Sequence, residues 1–335
     1  MARWRSRTER GEALNTFRIL SIDGGGIKGV FPAAFLCALQ EDLGVDVARH
    51  FDLIAGTSTG GIIALGLGLG LPPSQIVDFY IEQGPAIFTR RKPLWFMGPS
   101  KYNVEPLRNA LEHIFGDRRL GESQSRLFIP SFDANSGVIH IYKTPHHERL
   151  RRDYRCTAVE VALATSAAPL YFPSHRSERD ITLIDGGIWA NNPTGLAVVE
   201  AMSMLGAHPG AIRVLSIGCT DTPANRIPGK WLGLWAFRLL DTILRGQSFG
   251  SMGIAMHLAG HENVFRYNPI VLPGRYKLDG VAGVDDLRGL AYQEARHASP
   301  KLREIFFKEP ATPYVPMYSN ASAVEPATDD ERIRG

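Results

Sequence analysis

Ser58 stands in Gly56-Thr57-Ser58-Thr59-Gly60, a serine between two glycines with an apolar run on either side. A G-x-S-x-G between a strand and a helix is the pattern that exposes a nucleophilic serine on a sharp turn. The glycines let neighbouring backbone approach, and the helix start favours negative charge on the serine oxygen. Read without its flanks, the pentapeptide is also an ordinary glycine-rich turn; the strand before it and the helix after it favour the nucleophile.

A second stretch, Asp23-Gly24-Gly25-Gly26-Ile27-Lys28-Gly29, satisfies G-x-G-x-x-G through Gly24, Gly26 and Gly29. That pattern binds dinucleotides when an acid ends the next strand and holds a ribose hydroxyl. Here the next strand ends in Gly56 and the serine turn, with no carboxylate. The same exposed amides fit another use, with Gly25 and Gly26 donating to the oxyanion of an acyl-transfer intermediate. A third motif, Asp185-Gly186-Gly187, ends an apolar run and offers a carboxylate base. Any lone Asp-Gly is also a turn. Histidines at His208, His257, His261 and His297 leave open the order Ser, Asp, His of a triad, although none stands in a motif.

The elements that position these residues follow from pattern. Strands are expected at 17–22, 51–55, 126–132, 138–142, 181–184 and 212–217. Helices are expected at 30–41, 61–69, 74–84, 104–115, 157–166, 193–205 and 287–306. Pro32 falls in the first turn of its helix, where a missing N–H is harmless. Strand, glycine turn and helix occur twice in succession, which predicts an α/β fold: a mostly parallel sheet between helix layers, with the three motifs at the carboxyl edge. Residues 220–285 read as less regular. The chain divides into a basic extension at 1–16, one domain at 17–310 and a tail at 311–335.

Composition sets outer bounds. The chain has 335 residues, 44% hydrophobic and 21% charged, which is ordinary for a globular protein rather than a disordered one. A net charge of +3 fits an anionic surface or a phosphorylated ligand as well as no charged partner, and gives no argument for nucleic acid. Cys37, Cys156 and Cys219 form no CxxC and no metal spacing with His146-His147, so no metal or other cofactor is expected. Reduced thiols favour the cytosol. The basic N-terminus lacks the apolar stretch of a signal peptide. Residues 53–77 are uncharged but hold six glycines and Pro72-Pro73, and their apolar run is far short of the ~20 residues that span a bilayer.

In this order and wording, the three motifs resemble the patatin-like phospholipase family over residues 17–220. The resemblance implies a three-layer patatin fold and a Ser–Asp dyad with Ser58 as nucleophile and Asp185 as base, without a histidine. Asp185 would take the serine proton, the amides of Gly25 and Gly26 would hold the oxyanion, and water would cleave the acyl-enzyme. Many relatives carry arginine where Lys28 stands, so the bidentate fork is lost there. The wording of residues 19–29, 54–68 and 142–147 is similar to bacterial patatin-like effectors of anti-phage CBASS systems, of the CapV type. This further resemblance implies a phospholipase activated by a cyclic dinucleotide such as cyclic GMP-AMP, cytoplasmic and acting peripherally on the inner membrane. A constitutive lipid acyl hydrolase and a non-catalytic nucleotide-binding module are the alternatives. Residues 88–97 and 230–245 are apolar with basic edges, and either could rest on a membrane, pack into the core or join copies of the chain. Residues 143–155 are the densest basic run, a solvated face or a phosphate site.

Overall fold

The computed structural model describes residues 15–89, 100–223 and 232–319, and of 232–241 the backbone alone. Residues 1–14, 90–99, 224–231 and 320–335 lie outside it, and with them most of the basic extension, the segment 90–97, positions 230–231 and the end of the tail.

Alternation along the strands builds two cores. Strands β1 (Phe17–Ile22), β2 (Leu53–Gly56), β3 (Leu127–Asp133), β4 (Val138–Lys143), β5 (His175–Arg176), β6 (Thr182–Asp185), β7 (Ile212–Ile217) and β8 (Val264–Tyr267) form one sheet in the order β5-β6-β3-β2-β1-β7-β8, with β4 also on β3. Leu20 and Ile22 point to one face, where they pack with helices α1 (Val30–Leu43), α2 (Thr59–Gly68), α3 (Pro73–Ile87), α4 (Glu105–Phe115) and α5 (Ala158–Ser166). Ile19, Leu53 and Val214 point to the other. A short helix α6 (Gly187–Ala190) follows β6, and α7 (Thr194–Ser203) and α8 (Leu232–Ala259) cover that second face. The last helix, α9 (Val284–Phe306), lies on α1 in the first layer. The result is helix, sheet, helix, as the strand–helix alternation predicts.

The sheet is mixed, and the exception matters for the site. Strands β3, β2, β1, β7 and β8 are parallel, whereas β4, β5 and β6 are antiparallel to their partners. β2 and β6 share one edge of β3, approaching each other end to end. Ala55 is level with Phe128, and Asp185 is level with Ser131. Two of the three motifs therefore end parallel strands, and the third ends an antiparallel one. Asp185 reaches the carboxyl edge of β2 from the opposite direction, along the part of β3 that overhangs β2.

Residues 220–285 also depart from the sequence reading. They hold α8 and the edge strand β8. Gly246, Gly250 and Gly253 lower the intrinsic helix propensity of α8 by about 1 kcal/mol each. Burial of Met252, Ala255 and Ala259 against α7 and the sheet offsets that loss. Among the described residues no helix is long and apolar enough to cross a membrane. Residues 53–77 instead form β2, the buried α2 and the start of α3. Lys143 and His146 of the basic run turn inward, pairing with the buried Glu200 of α7 at 2.7 and 3.0 Å.

Candidate active site

Ser58 links β2 to α2 with φ at 55° and ψ at −123°. A non-glycine residue holds that conformation only when its surroundings impose it. Here the Ser58 N–H donates to Thr165 Oγ1 at 3.0 Å, and Thr165 donates in turn to the Pro130 carbonyl of β3 at 2.6 Å. A Cβ on Gly60 would meet the Ile22 carbonyl oxygen at 2.3 Å, so only glycine lets α2 start this close to β1.

Asp185 ends β6, and its backbone N–H donates to the Ala167 carbonyl at 3.0 Å. The Ser58 hydroxyl donates to Asp185 Oδ2 at 2.6 Å, and the Gly187 N–H donates to Oδ1 at 2.6 Å. Burial raises the carboxyl pKa to about 6, against the pull of these two hydrogen bonds. A carboxylate in that range is a better proton acceptor at neutral pH than an exposed aspartate.

The glycine loop follows β1 on the same edge. Gly26 has φ at +58°, and a Cβ there would lie 2.1 Å from the Leu278 carbonyl oxygen. Gly24 passes beside Ser58, where a Cβ would be 3.2 Å from the serine Cβ. Among the described residues the N–H groups of Gly25 and Gly26 have no acceptor, while Gly24 donates to the Asn191 carbonyl and Ile27 to that of Leu278. Gly29 faces Thr59 at the start of α2, and Gly56 faces the Gly60 carbonyl, so both packed motifs depend on the absence of a side chain. Gly186 lies against the Pro130 carbonyl.

The three motifs are stitched together by the segment after Asp185. Asn191 accepts from Gly24 N–H through its carbonyl and donates its side-chain amide to the Gly24 carbonyl at 3.3 Å. Thr57 donates its hydroxyl to the Ala190 carbonyl at 2.6 Å. All three motifs line one cavity of about 960 Å³, whose walls are largely apolar: Ile62, Phe79, Ile87 and Phe172 on one side of Ser58, Met252 and Met256 of α8 on the other. None of the chain's histidines lines it. His208, His257, His261 and His297 are not brought to Ser58 or Asp185. No group of three metal-ligating side chains occurs among the described residues.

Sequence reading missed Arg266. It projects from β8 and makes a two-pronged contact with Asp23, Nη1 to Oδ1 at 2.8 Å and Nη2 to Oδ2, while Nη1 also donates to Ser216 of β7 at 2.9 Å. The signal was an arginine within the short β-rich run Val-Phe-Arg-Tyr at 264–267. An acid beginning a loop otherwise made of glycines was the other half of it.

A strained serine on an α/β carboxyl edge, bonded to a buried carboxylate inside an apolar cavity, defines a lipid acyl hydrolase. The chain belongs to the patatin-like phospholipase family, whose model matches residues 20–198. It is 34% identical over 271 residues to a protein of Pseudomonas aeruginosa named cGAMP-activated phospholipase, covering 78% of this chain and 81% of that one. A protein of the same name in Vibrio cholerae is 33% identical, covering 75% and 80%. A third, in Escherichia coli, is 28% identical over 89% of this chain and 94% of its own.

Proposed function

We propose that the chain hydrolyses acyl esters of membrane phospholipids with Ser58 as nucleophile and Asp185 as its base. The observation that carries this reading is the 2.6 Å hydrogen bond from the Ser58 hydroxyl to Asp185 Oδ2 inside the apolar cavity. Ser58 Oγ attacks the ester carbonyl as its proton passes to Asp185. The carbonyl electrons move onto oxygen, and the N–H groups of Gly25 and Gly26 stabilise that charge. Collapse of the intermediate expels the lysolipid alkoxide, which takes the proton from Asp185 and leaves an acyl-enzyme. Asp185 then draws a proton from water, whose oxygen attacks the acyl carbon, and the fatty acid leaves as Ser58 is reprotonated.

In this reading the enzyme is switched on by a cyclic dinucleotide of the cyclic GMP-AMP kind and serves as an anti-phage effector, working from the cytoplasm on the inner membrane. The names of three bacterial relatives support that control, since each matches most of this chain. The test is fatty-acid release from phospholipid vesicles by wild type, Ser58→Ala and Asp185→Ala, with and without a panel of cyclic dinucleotides. Each variant is expected to lose about 10³-fold or more in kcat. Equal release by wild type in the presence and absence of every dinucleotide removes the regulatory part, and full activity in Ser58→Ala removes the dyad.

A further inference from the structure

Four large apolar side chains are exposed on segments that line the cavity. Phe249 of α8 is 69% exposed, Leu170 57%, and Ile270 and Leu272 72% each. Phe249 and Ile270 line the cavity, as do Pro169 and Tyr171 on either side of Leu170. Singly, such residues are common features of a soluble surface; gathered beside one cavity they mark a contact surface.

The three chain segments that carry them are tied together. The Lys101 N–H donates to the Leu170 carbonyl at 3.0 Å, and its ammonium pairs with Asp279. Asp221 exchanges backbone hydrogen bonds with Pro269 and Val271, and its carboxylate lies 3.5 Å from Arg245 of α8. Leu170 itself has φ at +73°, a region that disfavours a leucine by about 1–2 kcal/mol. Neither backbone preference nor core packing accounts for leucine there; a place in an apolar rim does.

Charge adds the second half. The carboxylates of the cavity are each engaged: Asp23 by Arg266, Asp221 by Arg245, Asp279 by Lys101, and Asp185 by Ser58. Lys28 and Lys277 line the same cavity, and among the described residues neither has a carboxylate partner. Ser58 is neutral, so the Asp185 carboxylate offsets one of these two lysines, and the cavity joins an apolar rim to a surplus of a single positive charge, which suits a bilayer that presents acyl chains beneath anionic phosphates.

We infer that this rim docks the protein on an anionic phospholipid bilayer, so that a lipid moves from the bilayer into the cavity. This rests on the reading of the cavity as a lipid hydrolase site. A bilayer is favoured over a second copy of the chain because the rim lies on segments that line the cavity that holds Ser58, and a bilayer supplies the substrate there.

The test uses the double variant Leu170→Asn, Leu272→Asn. Neither residue lines the cavity, and asparagine tolerates the left-handed backbone at 170, so the fold is preserved; a melting curve checks this. Wild type, the double variant and Ser58→Ala are cosedimented with vesicles of phosphatidylcholine, alone or mixed with phosphatidylglycerol. Hydrolysis of vesicle lipid and of a soluble short-chain ester is followed in parallel, with cyclic GMP-AMP present. Wild type is expected to prefer the mixed vesicles, less so at high salt. The double variant should bind them about tenfold less, or weaker still, and lose vesicle hydrolysis in step while cleaving the soluble ester as wild type does. Ser58→Ala should bind as wild type and cleave nothing. Unchanged vesicle binding and hydrolysis in the double variant overturns the inference. So does light scattering that shows a wild-type dimer and a double-variant monomer. Rim-dependent vesicle binding by a wild type that cleaves neither substrate would sink the hydrolase reading and leave the docking surface standing.

Discussion

Arg266 grips Asp23 across 243 residues of sequence, guanidinium to carboxylate, and in doing so fixes where the glycine loop leaves β1. Asp23 is also held by its backbone, with its N–H donating to Ile217 at 3.0 Å. The loop proposed to present amides to an oxyanion is therefore anchored at its first residue by a strand on the far side of β7. Lysine at 266 keeps the charge and loses the fork. Arg266→Lys is expected to fold and to lower kcat about tenfold with little change in KM. Arg266→Met leaves Asp23 buried without a partner and should destabilise the protein by about 3–5 kcal/mol, read by denaturant unfolding.

The rate should follow the ionisation of Asp185. Burial sets its pKa at about 6, and only the ionised form accepts the serine proton. kcat/KM on a soluble ester is expected to be flat above that pH and to fall about tenfold for each unit below it. A profile that stays level down to pH 4 would exclude Asp185 as the base.

Asp185→Asn should abolish turnover yet stabilise the fold. The folded carboxyl pKa of about 6 lies above its ordinary value of 3.8, so the unfolded chain releases the proton first as pH rises. Wild type therefore loses stability between those two values, on the order of 2–3 kcal/mol, and the loss is complete above the folded value. Asparagine carries no such titration. The difference in stability between variant and wild type should grow between pH 4 and 6 and stay constant at higher pH, as measured by urea unfolding at each pH.

Gly26→Ala tests the loop by shape alone. Its φ is +58°, and a methyl group added there would sit 2.1 Å from the Leu278 carbonyl oxygen, which leaves no room for a side chain. The variant is expected to lose about 10²-fold or more in kcat, as for removal of an oxyanion donor. Melting temperature distinguishes local displacement of the loop from unfolding.

Alanine at His208, His257, His261 or His297 should leave the rate within about twofold of wild type, since none lines the cavity. A folded single variant of this set without activity would restore the triad.

Much of the site could be read from residue types in a row. The strand at 212–217 and the helix starting at Val30 were legible because apolar period and glycine punctuation agree there. Ser58, Asp185 and the glycines carry their chemistry in local motifs. α8 was illegible because its glycines contradict helix, and packing overrules them. β8 was too short for periodicity to register, and Arg266 went with it. Thr165 and Asn191 act through hydrogen bonds to distant segments that no spacing announces.

By itself the sequence determined the chemical parts: a serine on a glycine elbow, an acid at a strand end, and a loop whose amides a side chain would obstruct. These follow from local backbone preference, which neighbouring residues set. Only the tertiary structure decided how the parts meet. β6 runs against β3 and stops where β2 ends, Asp185 level with Ser131 and Ala55 level with Phe128. Nothing in either short strand specifies that partner or direction. Pairing between strands fifty or more residues apart is settled by burial of both sheet faces at once, and that condition belongs to the whole chain.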